Sequence, residues 1–195
     1  MSSNAPALAA TVNQLGYTAS LVDTPSQLSE VTHLIIPGNG SIAGVVTEID
    51  SKSGLRSAII EYAESKRQLL GICLGMQLLG KESAESSETK CLEILPFSSE
   101  SMEKASGGAR IPHVGWNQVS HDGVSPLFHK IPSGSDFYFS HSFAVFETPN
   151  SIATTTHGMP FNSSLAQGNV YGVQFHPERS QSVGAQLLEN FINLG

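Results

Sequence analysis

The chain has 195 residues, of which 39% are hydrophobic and 14% are charged. That length can bury a substantial core, so we expect one globular domain spanning residues 1–195. The formal net charge of −7, with no cluster of Lys and Arg, argues against a nucleic-acid partner. Two cysteines give no disulfide framework, and no signal peptide or membrane-spanning run is visible. We therefore expect a cytoplasmic protein with no membrane partner.

In the first half of the chain, helical patterns alternate with short apolar strands. This alternation predicts βαβ units with right-handed crossovers and hence a parallel sheet. The fold class we expect is α/β, with an open, mostly parallel, twisted sheet and helices on both faces. The predicted elements are a helix over 6–15 ending at Gly16, strands over 18–22 and 32–36, a helix over 55–65, a strand over 68–72 and a helix over 73–79.

The second half is richer in strands, which we expect to be mainly antiparallel. Two Ser/Glu-rich stretches, 82–90 and 97–108, are predicted to be solvated loops. The predicted strands cover 111–114, 137–145, 152–156 and 165–175, the last broken by a turn at 168–169, and a closing helix covers 182–192.

The most informative segment is LLGICLGMQL at residues 69–78, where an apolar run meets a Gly-x-Cys-x-Gly turn and then a helical pattern. A nucleophile on such a turn needs small neighbours because the backbone is strained there, and Gly71 and Gly75 supply them. The helix N-terminus favours a thiolate at Cys73, and the N–H of Leu74 can donate to a developing oxyanion. Cys73 is thus a candidate nucleophile, although a buried structural cysteine would fit the same motif.

A candidate base lies near the C-terminus, where residues 170–180 read VYGVQFHPERS. Pro177 disfavours helix at His176 and predicts an extended His-Pro-Glu segment. In an extended segment residues i and i+2 project to the same side, so Glu178 can reach the imidazole of His176. Cys73, His176 and Glu178 therefore form a candidate triad of nucleophile, base and orienting carboxylate.

These motifs resemble a known family. GICLGMQLL at 71–79 and GVQFHPERS at 172–180 are similar to the class I (triad) glutamine amidotransferases, which have a flavodoxin-like fold. IPHVGWNQV at 111–119 and YFSHSF at 138–143 resemble the glutaminase subunits of imidazole glycerol-phosphate synthases, which act in histidine biosynthesis. With IIPGNGS at 35–41, the resemblance spans nearly the whole chain in the family's order.

The resemblance implies a role for each triad residue. Cys73 would form a γ-glutamyl thioester, His176 would shuttle the proton, and Glu178 would orient the imidazole. Glutamine would then be hydrolysed to glutamate and ammonia. Gln77 matches a substrate-binding position, and its spacing of four residues along a helix puts it on the same face as Cys73. A solvated helix glutamine is the alternative for Gln77.

Further substrate contacts also follow from the resemblance. Ser142 and Phe143 match the segment that holds the amino-acid end of glutamine, largely through backbone groups. The loop PGNG at 37–40 matches the family's oxyanion strand, so Gly38 and Asn39 are assigned to the oxyanion site and Gly38 also to substrate binding. The remaining histidines show no metal-ligand spacing, and we assign no metal and no cofactor.

The segment around the single tryptophan is the predicted docking face. The resemblance assigns His113, Gly115, Trp116 and Asn117 to an interface near the ammonia exit. The expected partner is the cyclase subunit of imidazole glycerol-phosphate synthase, a (β/α)₈ barrel that receives ammonia and a phosphorylated ribonucleotide in a heterodimer. Without the resemblance, Trp116 would instead be read as a core anchor.

One part of the family pattern is lacking. The family begins with an apolar strand closing in Asp-Tyr-Gly-x-Gly-Asn, whereas here Asn4 matches the final asparagine with three residues before it. We therefore expect this sequence, through an alternative or truncated start, to lack the first strand. Because that strand would lie inside a parallel sheet, its neighbours are expected to keep unpaired backbone groups and exposed apolar faces.

Several functional alternatives stay open on the sequence. A paralogous glutaminase that supplies a sugar amidotransferase in surface-polysaccharide synthesis would share the triad and much of the docking face. A catalytically silent scaffold subunit would belong to a different class, and the three intact triad residues argue against it. A γ-glutamyl peptidase would not need the segments PHVGWN and YFSHSF.

Asn39 stands where valine is more usual, and the difference predicts a change in basal activity. Asn tolerates positive φ better than a β-branched residue does, so a peptide flip that turns a backbone N–H toward the site should be easier here. We expect Asn39→Val to lower glutamate release by the isolated chain. A glutaminase assay without a partner measures this, and unchanged turnover would contradict the prediction.

Overall fold

The computed structural model describes residues 4–104 and 107–195. Its α-helices are α1 (Ala5–Gln14), α2 (Pro25–Ser29), α3 (Ile42–Ser51), α4 (Leu55–Glu64), α5 (Leu74–Leu78) and α6 (Gln181–Ile192). Its strands are β1 (His33–Ile36), β2 (Gln68–Ile72), β3 (Glu82–Ser83), β4 (Ser98–Ser101), β5 (His113–Val119), β6 (Ser135–His141), β7 (Phe143–Ala144), β8 (Ser151–His157), β9 (Met159–Gln167) and β10 (Val170–Val173). In these described stretches no helix combines the length and apolarity needed to cross a bilayer.

The main sheet has the strand order β1-β2-β10-β9-β8. Strands β1, β2 and β10 are parallel, while β9 and β8 continue the sheet in antiparallel fashion. The expected open α/β sheet is therefore confirmed, with its parallel part formed by the strands that precede the two catalytic motifs. The predicted 165–175 hairpin corresponds to the antiparallel pair of β9 and β10.

Alternating side chains of the sheet face two apolar cores. Leu69 of β2 joins the core that α3 and α4 cover. Its neighbours Leu70 and Ile72 join the opposite core, which α1 and α6 cover. Because successive residues of a strand point to opposite faces, β2 is apolar from Leu69 to Ile72 and is buried there on both sides.

The strand predicted over 18–22 is not formed, and this expectation was wrong. A strand needs a neighbouring backbone to pair with, and within the described residues β1 pairs with β2 alone. A cavity of about 720 Å³ is lined by residues 17–23, by β1, and by apolar side chains of α1 and α4. Within the described residues, β1 is therefore an edge strand of the main sheet, and it faces this cavity.

Other elements differ from prediction in smaller ways. Helix α3 was not predicted, although Ser41 caps it by accepting the N–H of Gly44 at 3.2 Å. The region 97–108 is not simply a loop, because it contains β4 and a 3₁₀ turn at Met102–Lys104, while residues 105 and 106 lie outside the described part. The loop predicted over 82–90 begins with β3, which pairs with β4.

A separate two-stranded sheet joins β5 and β6, which are antiparallel with Trp116 opposite Tyr138. Strand β6 ends at the active-site edge of the main sheet, where the backbone N–H of His176 donates to the carbonyl of Tyr138 at 2.8 Å. This bond fixes the His176 segment against the small sheet.

Candidate active site

Cys73 lies on a tight turn between β2 and α5, with φ +53° and ψ −108°. The turn packs so closely that a Cβ on Gly75 would lie 2.0 Å from the carbonyl oxygen of Ile36. A Cβ on Gly71 would lie 2.5 Å from the carbonyl oxygen of Gly75. The expectation that both glycines are needed is confirmed, and the strained backbone is typical of a functional turn.

The imidazole of His176 and the carboxylate of Glu178 meet as expected, but the extended conformation predicted for the whole His-Pro-Glu segment was wrong, because only His176 is extended. His176 follows β10, which lies beside β2 in parallel register, so both motifs end at the same edge of the sheet. Pro177 begins a 3₁₀ turn that brings Glu178 Oε1 to 2.9 Å from His176 Nδ1. The Ser180 hydroxyl donates to the His176 carbonyl at 2.6 Å, which fixes the backbone beside the ring.

The charges of these groups depend on one another. Burial opposes protonation of His176, but hydrogen bonds to Cys73 and Glu178 and their negative charges raise its pKa to about 10. Burial also disfavours the charged form of Glu178, yet the hydrogen bond and charge of His176 lower its pKa overall. The arrangement therefore favours an imidazolium at His176, held between the sulfur of Cys73 and the carboxylate of Glu178.

Asn4 adds a contact that the sequence did not reveal. Its side-chain N–H donates to Glu178 Oε1 at 2.9 Å, the same oxygen that pairs with His176. The bond helps to lower the Glu178 pKa. Asn4 thus ties the start of α1 to the carboxylate, although the two residues are far apart in the chain.

A cavity of about 390 Å³ opens at this edge. The cavity is lined in part by Glu85, His141 and Arg179, none of which was predicted to belong to the site. Glu85 falls in the stretch 82–90, which was predicted to be a solvated loop. The cavity wall includes every residue predicted to be catalytic, oxyanion-stabilising or substrate-binding, namely Gly38, Asn39, Cys73, Leu74, Gln77, Ser142, Phe143, His176 and Glu178.

Gln77 is buried rather than solvated, with 3% of its surface exposed. Its side-chain nitrogen donates to the carbonyl of Phe143 and to Gln174 Oε1, both at 3.0 Å. Gln77 and Cys73 therefore both line the cavity, as their predicted position on one helix face implied. The bond from Gln77 to the carbonyl of Phe143 also fixes the position of Phe143.

The predicted oxyanion loop packs directly on the cysteine turn. A Cβ on Gly38 would lie 2.3 Å from the backbone nitrogen of Leu74, so only glycine fits there. The adjacent Asn39 accepts the N–H of Gly40 through its side-chain oxygen at 3.0 Å, and the left-handed φ of +107° falls on Gly40.

The residues predicted to form the docking face separate into exposed and buried positions. Trp116 is 48% exposed and contacts Tyr138 edge-on, with ring centroids 6.0 Å apart. His113 is 3% exposed because alternate residues of β5 point inward, where its ring stacks on Phe139. The side chain of His113 is therefore part of the core, while Gly115 and Asn117 are half-buried.

His113 belongs to a hydrogen-bonded chain that reaches the cavity. His141 Nδ1 donates to the carbonyl of Phe143 at 2.8 Å, so His141 Nε2 accepts from His113 Nδ1 at 2.9 Å. His113 Nε2 then accepts from the side-chain amide of Asn117 at 3.1 Å. Burial lowers the pKa of His141 to about 3, and burial together with the charge of His157 lowers that of His113 to about 4.

The chain belongs to the class-I glutamine amidotransferases, because the family described as "Glutamine amidotransferase class-I" matches residues 1–194. "Imidazole glycerol phosphate synthase subunit HisH" of Moorella thermoacetica is 39% identical over 185 residues, which cover 94% of this chain and 86% of the relative. The protein of the same name from Thiobacillus denitrificans is 42% identical over 183 residues, covering 90% and 79%.

Solved structures share the fold at lower identity. "Crystal structure of glutamine amidotransferase" superposes with a TM-score of 0.75 at 19% identity and covers 96% of this chain and 91% of its own. "Structure of PurLQS from Thermotoga maritima" gives a TM-score of 0.73 at 17% identity and covers 98% and 93%. These likenesses establish the fold.

The pairing of His176 with Glu178 can be tested by titration. Glu178→Gln removes a charge that raises the His176 pKa, so the imidazole should lose its proton at a lower pH than in the wild type. The stability that this pairing contributes is present below the ordinary pKa of about 6.5 and is lost as pH rises through about 10. In Glu178→Gln, this contribution to stability should be lost at a lower pH than in the wild type.

Imidazole NMR during a pH titration measures the change. Glu64→Gln, on the exposed side of α4, is the matched control and should leave the titration of His176 in place. An unshifted His176 titration in Glu178→Gln would mean that the carboxylate does not set the charge of the ring.

Proposed function

We propose that this chain is the glutaminase subunit of an imidazole glycerol-phosphate synthase, acting in the cytoplasm as a Cys-His-Glu hydrolase of L-glutamine. The observation that carries the proposal is the convergence of Cys73, His176 and Glu178 on the wall of one cavity, with His176 hydrogen-bonded to Glu178. The HisH relatives, matched over most of this chain, support the choice of synthase.

In the first half-reaction, the sulfur of Cys73 attacks the side-chain amide carbon of glutamine. The carbonyl π electrons move to oxygen, where the N–H of Leu74 and the Gly38–Asn39 loop are placed to stabilise the negative charge. When the intermediate collapses, the C–N bond breaks and His176 gives its proton to the departing nitrogen. The products are ammonia and a γ-glutamyl thioester on Cys73.

In the second half-reaction, neutral His176 takes a proton from water as the water oxygen attacks the thioester. The C–S bond then breaks, its electron pair returns to sulfur, and glutamate leaves. Glu178 stabilises the imidazolium that forms and keeps the ring oriented. The proton accepted by His176 restores the starting charge state.

The cavity also offers groups suited to the amino-acid end of glutamine. Burial raises the pKa of Glu85, and the N–H of Ile42 only partly offsets this effect. A substrate ammonium would therefore stabilise the Glu85 carboxylate in its charged form. We assign Glu85 to the α-ammonium group, while backbone groups of Ser142 and Phe143 and the side chain of Gln77 hold the rest of the substrate.

We assign the partner to the face around Trp116. Arg179 lines the glutamine cavity and stacks over Tyr138, with its guanidinium carbon 4.1 Å from the ring centroid. Tyr138 in turn contacts Trp116. Val114, two residues before Trp116 on β5, is 56% exposed. A cyclase seated on this apolar and aromatic surface would lie close to the site of ammonia release.

The decisive experiment measures glutamate release from glutamine by the purified chain, alone and with a cognate cyclase plus its ribonucleotide ligand. We expect strong stimulation by the partner. Cys73→Ala should reduce the rate by at least about 10³-fold in both conditions. No turnover from folded protein in either condition would overturn the proposal in favour of a silent scaffold. Activation by a sugar amidotransferase, and not by the cyclase, would show that the chain supplies ammonia to that other partner.

The assignment of the docking face makes a separate prediction. Trp116→Ala should weaken binding to the cyclase by at least about tenfold, because buried aromatic side chains dominate many interfaces. Leu21→Ala is the matched control, since Leu21 has the same 48% exposed fraction but lies outside the assigned face. Titration calorimetry measures both affinities, and equal losses in the two variants would exclude Trp116 as a specific contact.

A further inference from the structure

Gln174 lies between β10 and His176 and its side chain is completely buried. Its backbone N–H donates to the carbonyl of Ser163 at 2.9 Å, which anchors the residue in the sheet. Its side-chain nitrogen lies 3.5 Å from Cys73 Sγ, within hydrogen-bonding distance of a sulfur acceptor. Both ends of this buried amide therefore have a hydrogen-bond partner, and one of the partners is the sulfur of Cys73.

The orientation of this amide is fixed by its neighbours. The carbonyl of Phe143 can only accept, so the side-chain group of Gln77 that faces it must be the NH₂. The same NH₂ faces Gln174 at 3.0 Å, which makes the Gln174 atom there the oxygen. The opposite end of the Gln174 amide, its NH₂, must then face the sulfur of Cys73.

The surroundings of the sulfur offer partners for both of its charge states. The carbonyl oxygen of Ser140 lies 3.8 Å from Sγ and can accept a proton from a neutral thiol. A thiolate gains nothing from that carbonyl and needs donors, which His176 and Gln174 provide. An amide N–H remains a donor at every pH, whereas His176 gives up its proton during turnover.

Resting on the proposed role of Cys73 as nucleophile, we propose that Gln174 is a further catalytic residue whose side-chain N–H stabilises the thiolate of Cys73. The donor acts when the thiolate first forms. It acts again when the C–S bond of the thioester breaks and the electron pair returns to sulfur, at the moment when His176 holds the proton from water. Gln77 serves as the positioning residue that fixes the Gln174 amide.

The test compares two substitutions of similar volume. Gln174→Met removes the donor, and Gln174→Glu keeps an acceptor for Gln77 but presents an oxygen to the sulfur. Gln186→Met, in α6 and outside the site, is the matched control. The readout is the rate of alkylation of Cys73 by iodoacetamide between pH 5 and 9, followed by peptide mass spectrometry. Cys91 should stay unreactive, because burial raises the pKa of its thiol to about 11.

We expect both Gln174 variants to reduce the alkylation rate at pH 7 by roughly tenfold and to move its pH profile upward, consistent with the loss of one charge-assisted hydrogen bond. Gln186→Met should keep the wild-type profile, and kcat for glutamine should fall in parallel with the alkylation rate. Folded Gln174 variants with a wild-type profile would overturn the inference, since a merely structural role would lower only the melting temperature.

A measurement on the unmodified side chain removes any dependence on the folding of the variants. In the wild type, the NMR signals of the Gln174 side-chain amide should shift with the same pH midpoint as alkylation of Cys73, and Cys73→Ala should abolish that midpoint. An amide signal that ignores the titration would also overturn the inference. If the wild type releases no glutamate but this coupling is present, the proposed function fails while the role of Gln174 stands.

Discussion

The active site depends on the parallel pairing of β2 with β10. This pairing puts Gly71 beside Gly172, so that the strands end together and their extensions carry Cys73 and His176 to the same edge. Close backbone contact then fixes the position of the cysteine turn, because the turn packs against the carbonyl of Ile36 with no room for a Cβ at Gly75. A change that separated these strands would move Cys73 away from His176 and Glu178, and the reacting groups would no longer be held together.

Buried charged groups lie close together at the ends of these two strands. A buried imidazolium is tolerated at His176 because sulfur and carboxylate flank it, and Glu178 is held in turn by Asn4. The two buried amides of Gln77 and Gln174 add directed donors without adding net charge. Beside the sulfur of Cys73, these neutral amides supplement the charged pair of His176 and Glu178.

Local chemistry was predictable from the sequence, whereas features set by distant contacts were not. The glycines around Cys73 impose their geometry on neighbours in the chain, so that motif could be interpreted directly. Pro177 keeps His176 extended but begins a 3₁₀ turn, so the pairing with Glu178 was predicted correctly and the extended backbone expected to produce it was not. The stretch at 18–22 has a strand-like composition, but a strand exists only if another backbone pairs with it. Glu85 resembles any loop glutamate until β3 and β4 bring it to the cavity.

The histidine chain has a consequence for the behaviour of the protein in acid. His113 and His141 are neutral when folded, with pKa values near 4 and 3, so unfolding at mildly acidic pH takes up protons that the native state excludes. Protonation of His141 at Nε2 would turn the acceptor of the 2.9 Å bond from His113 into a second donor, so two N–H groups would face each other, while the bond from His141 Nδ1 to the carbonyl of Phe143 would remain. The pairing of β5 with β6 at His113 and His141 is therefore the point at which acid would destabilise this wall of the glutamine cavity.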